Sequence, residues 1–220
     1  MSETPPPPPP PPLPPSAPPP PPPPPPGRRE RKKAATRQAI ADAALRLFLE
    51  RGYDEVGIRE IADAADVSTT TLFKHFPAKE ALVFDEEADL EAVLLAAVRD
   101  RPAGQSVPAA LCEHALRHRR GATDGDPRFA AFLALVDSTP ALRDHRQAMW
   151  LRHTAALAAV VAEQSGLPAD DPACTALAHF ALEAPRAAAA HQDVPAALAR
   201  AFDLLDLGWT ALTAPAAPRT

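Results

Sequence analysis

Between Pro5 and Pro26 the chain carries 19 of its 30 prolines, and a run this dense fixes what that stretch can become. Each proline lacks an N–H and holds φ near about −65°, so neither a helix nor a sheet ladder propagates through it. A polyproline II rod or a disordered arm remains, and a rod of this length would reach roughly 70 Å. The 194 residues after Pro26, with 11 prolines, are the part that has to build a core. That length suffices for one sizeable domain or two small ones.

Within that part, alanine and leucine abound, β-branched residues are sparse and aromatics make up 5% of the chain, which favours helix over sheet. No run of 18 apolar residues exists, so no membrane-spanning helix is expected. The N-terminus shows no basic segment followed by an apolar one, and two cysteines, Cys112 and Cys174, form no disulfide framework. A cytoplasmic location is the expectation. The net charge of −5 argues against a nucleic-acid partner until its distribution is read. Residues 27–82 hold 11 basic and 9 acidic side chains, whereas residues 83–220 hold 12 and 18. Six of the basic residues crowd into 27–37 against Glu30 alone. A basic head on an acidic body is a pattern that suits contact with a polyanion.

Apolar residues recur at helical spacing from about residue 34 onward and predict nine helices and no strand. Their expected spans are 34–51, 58–65, 69–76, 78–99, 108–120, 127–138, 140–165, 171–192 and 195–212. Gly52 stops the first. Gly57 caps the second, with Glu60 placed to reach back to its N–H. Asp66 and Val67 make a tight turn, Ser68 caps the third helix, and Pro77 ends it. Pro185 is expected to kink or split the eighth. In the sixth, Phe129, Phe132, Leu133 and Val136 form the expected apolar stripe.

Two short helices joined by a tight turn are the helix-turn-helix pattern. Thr69, Thr70 and Lys74 lie near the start of the third helix, and such small polar and cationic groups can approach base edges in a major groove. The segment at 40–82, IADAALRLFLERGYDEVGIREIADAADVSTTTLFKHFPAKEAL, resembles the DNA-binding head of the TetR family of bacterial transcriptional regulators. The resemblance implies an all-α, nine-helix fold with a three-helix head at 28–82 and a six-helix effector-binding and dimerisation body at 83–220, which the disordered proline-rich arm at 1–27 precedes. It assigns Thr69, Thr70 and Lys74 to groove contacts, and Thr71 and His75 to phosphate. Lys79, at the amino end of the fourth helix, would hold phosphate with help from the helix dipole, and Arg37 with the Arg28–Lys33 arm would add backbone contacts. This chain departs from the family pattern at Gly57, where threonine is usual, at Asp66, where glycine is usual, and at Phe73, where tyrosine is common. Without the hydroxyl, Phe73 is not expected to bond phosphate.

For the body, the resemblance implies a small-molecule effector site, with Leu111, His114, Phe129, Phe132, Leu133, Trp150, His153, Phe180 and Glu183 as candidate lining. It also implies a homodimer through the last two helices, whose alanines at 187–190, 196, 197 and 201 permit close approach. His114 and His118 are spaced i, i+4 near Cys112 and Glu113, but no full ligand set emerges, so no metal or cofactor is expected. Neither cysteine sits in a strained or glycine-rich turn, so no enzyme activity is expected. The function expected is a ligand-responsive repressor on a near-palindromic operator of double-stranded DNA. The alternative is a constitutive architectural DNA-binding protein without effector.

Overall fold

The computed structural model describes residues 27–121 and 127–213, and among them every regular element is a helix. The proline-rich stretch up to Pro26, residues 122–126 and residues 214–220 lie outside the described residues. The elements are α1 (Arg28–Arg51), α2 (Ile58–Ala64), α3 (Thr69–His75), a 3-10 turn (Glu80–Leu82), α4 (Glu87–Arg99), α5 (Val107–Gly121), α6 (Pro127–Ser138), α7 (Pro140–Ser165), α8 (Pro172–Ala188) and α9 (Val194–Thr213).

Three boundaries differ from expectation for physical reasons. First, α1 begins six residues early, so the basic stretch from Arg28 to Lys33 is helical and solvent-exposed. Its arginines, lysines and glutamate are all good helix formers, and nothing in it breaks the helix. Second, the fourth helix does not run from residue 78. After Pro77 the chain makes the 3-10 turn, and α4 starts only at Glu87. Arg37 reaches across from α1 and takes the Asp85 carbonyl at 2.7 Å, an oxygen that a longer helix would need for itself. Third, Pro185 does not split α8, which runs through it and ends at Ala188, with the Ala189 N–H donating to the Pro185 carbonyl at 3.1 Å. Caps lie where the residue types place them. The Asp171 side chain accepts from the Ala173 N–H at 2.8 Å, Asp193 from Ala196 at 3.0 Å, and Gly166 ends α7 in the left-handed conformation with φ 66°.

Two apolar cores organise these helices. One lies under α1–α3, where Ile40, Ala44, Phe48, Ile61, Leu72 and Phe76 are fully enclosed, and it also takes in Leu135 and Val136 of α6 and Leu142 of α7. The other joins α4, α5, α7, α8 and α9 through Leu94, Val98, Leu111, Leu157, Val161, Leu177, Leu198 and Phe202. The expected stripe on α6 is therefore rotated: Phe132, Leu135 and Val136 face inward, while Phe129 and Leu133 face solvent. Because α6 packs on α1 and α7, its inward face is set by the core of the head.

Candidate nucleic-acid interface

The turn between α2 and α3 depends on one unusual residue. Asp66 has φ 52°, a left-handed conformation that aspartate tolerates better than most non-glycine residues. That geometry lets the Val67 N–H return to the Ala62 carbonyl at 2.9 Å and closes the end of α2. The Gly57 N–H donates to Glu60 at 3.1 Å, the expected half of a capping box, and Glu60 is also held by Arg51 at 2.6 Å. Ser68 then starts α3, its hydroxyl oxygen accepting from the Thr71 N–H at 3.1 Å. The turn and both helix starts are thus fixed by side chains next to them in sequence.

On α3, Leu72 is buried, and the exposed residues are Thr70, Phe73 and Lys74 at i, i+3 and i+4. These three share one face, with half-buried Thr69 at its edge. Thr71 and His75 lie on the other flank. The Thr71 hydroxyl is engaged with Ser68 at 2.9 Å, so it shapes the helix start. Burial, and then the charges of Arg37 and Lys33, hold the His75 imidazole below its usual range, so near neutrality it is an uncharged group.

The two outlying basic residues both make contacts inside the head. Arg37 donates one guanidinium nitrogen to the His75 carbonyl at 2.7 Å and the other to the Asp85 carbonyl at 2.7 Å, and its plane lies 4.2 Å from the Phe76 ring. It ties α1, the end of α3 and the entry to α4 together. Lys79 does not stand at the start of a long helix, so no long-helix dipole adds to it. Its ammonium donates to the Tyr53 carbonyl at 2.6 Å and lies 4.1 Å from the Tyr53 ring, while burial lowers its pKa. Two of its three N–H donors remain for another acceptor.

Sequence reasoning passed over two features. One is the exposure of Phe73 beside Thr70 and Lys74, which the i, i+3 spacing already encoded. The other is Glu87 at the start of α4, which receives Arg152 at 2.6 Å and has His145 at 3.6 Å and His153 at 3.9 Å, all from α7. Burial pushes the Glu87 carboxyl up, but the hydrogen bond and charge of Arg152, then His145, carry it below its usual range. Those partners lie more than 50 positions away, beyond the reach of any local pattern. Beside this cluster, a cleft of about 390 Å³ opens between His75, Phe84, Glu87, Glu91 and Arg152, at the junction of head and body.

The nine residues expected around an effector are spread over α5, α6, α7 and α8. Leu111 is buried in the body core, and Phe129 and Leu133 are exposed. Phe132 packs edge-on against Phe84 at 6.2 Å, and Phe180 is 56% exposed on the outside of α8. Glu183 pairs with Arg186 at 2.8 Å. None of the nine lines the junction cleft or the second cleft, of about 260 Å³, between α5 and α9. His114, Trp150 and His153 are different. Each carries a buried ring nitrogen with no hydrogen-bond partner: Nδ1, Nε1 and Nε2 respectively. His153 Nε2 is 3.3 Å from Glu91, a pairing by distance whose direction does not suit a hydrogen bond. His114 is pushed down to about 4, chiefly by burial and then by His118, whose ring lies tilted against it at 4.0 Å. Among the described residues no three metal-binding side chains gather, and no helix is long and apolar enough to cross a membrane.

A short, capped α3 presenting a polar and cationic stripe, on an all-helical body, defines a helix-turn-helix transcriptional regulator. Residues 40–85 match the model of bacterial regulatory proteins of the tetR family, and residues 101–210 match that of the MftR C-terminal domain. The chain belongs to the TetR family. It is 33% identical over 146 residues to the HTH-type transcriptional regulator TcmR of Streptomyces glaucescens, a stretch spanning 62% of this chain and 63% of TcmR. The fold matches a TetR-family regulator structure from Mesorhizobium loti with TM-score 0.52 and 22% identity, over 82% of this chain and 98% of that one. It also matches the SmeT–triclosan complex with TM-score 0.50 and 17% identity, over 79% and 91%. The family, TcmR and the Mesorhizobium loti protein are transcriptional regulators, not enzymes.

Proposed function

We propose that the chain is a homodimeric, ligand-responsive repressor that binds a near-palindromic operator and leaves it when an effector enters the body. The observation that carries this reading is the continuity between body and head. Leu135, Val136 and Leu142 of α6 and α7 are part of the core on which α3 rests, and Arg152 of α7 holds Glu87 two residues beyond the carbonyl that Arg37 grips. A shift of α7 or α4 against the head therefore moves the support of α3. The unpartnered nitrogens of His114, Trp150 and His153 supply a reason for an effector, since a buried polar atom without a partner costs about 1–3 kcal/mol until something satisfies it. The solved SmeT complex with triclosan is an example of a ligand held by a protein of this fold.

Dimerisation is supported by the outer faces of α8 and α9. Leu204 and Leu207 of α9 are 72% and 74% exposed, and Phe180 of α8, a helix that packs on α9, is exposed as well. An isologous pairing would bury this face and set two α3 helices one DNA turn apart, about 34–36 Å. Effector binding would then shift the population to a head spacing that no longer fits. Thr70 and Lys74 would face the groove, and Lys79 a phosphate.

A gel-shift titration on duplex from immediately upstream of the coding sequence, run at low salt, tests the reading. A discrete complex with two-fold stoichiometry is expected, and failure to bind any genomic fragment would sink it. The architectural alternative draws on the scatter of the nine expected effector residues. It predicts that no small molecule which raises the melting temperature also weakens the complex with DNA.

A further inference from the structure

We infer that Phe73 is a specificity-determining residue that reads the 5-methyl group of a thymine in each half-site. The inference rests on the operator binding proposed above and adds the chemistry of one base contact.

Phe73 is 51% exposed, yet it stands beside Thr70 on the face that α3 turns outward with Thr70 and Lys74. Leu72 and Phe76 on the same short helix are fully enclosed, so the apolar demand of the local core is already met without Phe73. A phenyl ring carries no donor or acceptor. It cannot pair with the N7 and O6 of guanine, the amino group of cytosine or the N6 and N7 of adenine. The one apolar group that unmodified DNA displays in the major groove is the thymine methyl. A phenyl set among polar side chains is thus a poor fit to three bases and complementary to the fourth. Without a hydroxyl the ring has no hydrogen bond to offer a phosphate, which leaves apolar contact with a base edge as its role.

Position on the helix agrees. Residues near the start of a recognition helix approach base edges, and Phe73 lies one turn after Thr69 on the same side. The ring extends further from the axis than either threonine. The Ser68 cap and the Arg37 tie to the His75 carbonyl hold both ends of α3, which fixes where the ring points.

The test begins with a random-sequence duplex library selected on the full-length wild-type protein. Enriched sites should hold thymine at one fixed position in each half-site. Replacing that thymine by 2′-deoxyuridine removes only the methyl, and should weaken wild-type binding about fourfold per half-site, the value of one buried methyl group. Phe73→Ala should bind thymine and deoxyuridine sites alike and, reselected, should lose the thymine preference. Phe73→Tyr, which keeps the ring, should retain the thymine-to-uridine ratio. Equal wild-type affinity for thymine and deoxyuridine at every half-site position would overturn the inference, as would an unchanged ratio in Phe73→Ala. If the wild type enriches no sequence at all, the operator reading itself falls; enrichment without methyl dependence removes only the role of Phe73.

Discussion

Replacing Arg37 by alanine separates a tie inside the head from a contact with DNA. In the structure the guanidinium makes two hydrogen bonds of 2.7 Å to backbone carbonyls and covers the Phe76 ring at 4.2 Å. Hydrogen bonds from a charged donor contribute about 1.5–3 kcal/mol each, and a partly exposed cation–π contact about 0.5–1 kcal/mol. Arg37 is only half-buried, and water would replace part of what is lost. A net loss of about 2–3 kcal/mol is therefore expected, a drop of roughly 5–10 °C in melting temperature for a chain of this size. Melting should be followed at fixed protein concentration, because the proposed dimerisation would make it concentration-dependent. The same variant should be titrated with operator at several salt concentrations. With α3 less well held, affinity should fall roughly tenfold, or about 1.4 kcal/mol, while the slope against salt stays the same. A phosphate contact would instead lower that slope by about 1 and leave stability alone. Arg37→Lys keeps the charge but loses the fork, and should melt between the two. An alanine variant that melts within about 2 °C of wild type, or one that loses a unit of salt slope, would refute the reasoning.

Three further outcomes are expected. Lys79→Ala should weaken binding on every sequence and lower the salt slope by about 1, and it should also cost about 1–2 kcal/mol of stability through the lost Tyr53 contacts; competition titrations and thermal melts check the two halves. Leu207→Asp places like charges opposite each other across the proposed two-fold interface and should convert the dimer to monomer in sedimentation at micromolar concentration, with no damage to the body core, since Leu207 is exposed. His114 titrates near 6.5 when unfolded and at about 4 when folded. As pH falls below about 6.5 the unfolded chain takes up a proton that the folded chain refuses, so stability declines towards pH 4 and is unaffected above 6.5. Denaturant midpoints across that range should fall less steeply in His114→Gln than in wild type.

What the sequence disclosed and what it hid divide by the range of the forces involved. The caps at Ser68, Asp171 and Gly166, the turn at Asp66 and the stripe of Ile40, Ala44 and Phe48 depend on neighbours within about a turn, and each lies where its residue type points. The start of α4 does not, because a guanidinium 48 residues earlier claims the Asp85 carbonyl. The same long reach engages Arg37 with the His75 and Asp85 carbonyls inside the head, and it rotated α6 so that Phe129 and Leu133 face water while Leu135 and Val136 seal the core of the head. Helical periodicity alone identified apolar positions on α6 without saying which neighbour they would meet.

That difference bears on how a signal would travel. If head and body were separate packing units, an effector would have to act through the single covalent link at residues 83–86. Instead α6 and the start of α7 contribute Leu135, Val136 and Leu142 to the core beneath α3, and Arg152 holds the first residue of α4 at 2.6 Å. Packed cores deform in discrete steps, so displacing α7 offers the head a second packing arrangement and not a graded strain. The coupling should therefore be sensitive to the volume of Leu142, which is fully enclosed in the core that α6 and α7 share with the head. Leu142→Ala should lower stability by about 2–5 kcal/mol, the usual cost of such a cavity, and should also loosen the link between effector binding and operator release. Conversely, Leu142→Met, which conserves volume, should leave both nearly unchanged. A Leu142→Ala variant that folds, binds operator and releases it with wild-type response would show that the signal takes another route.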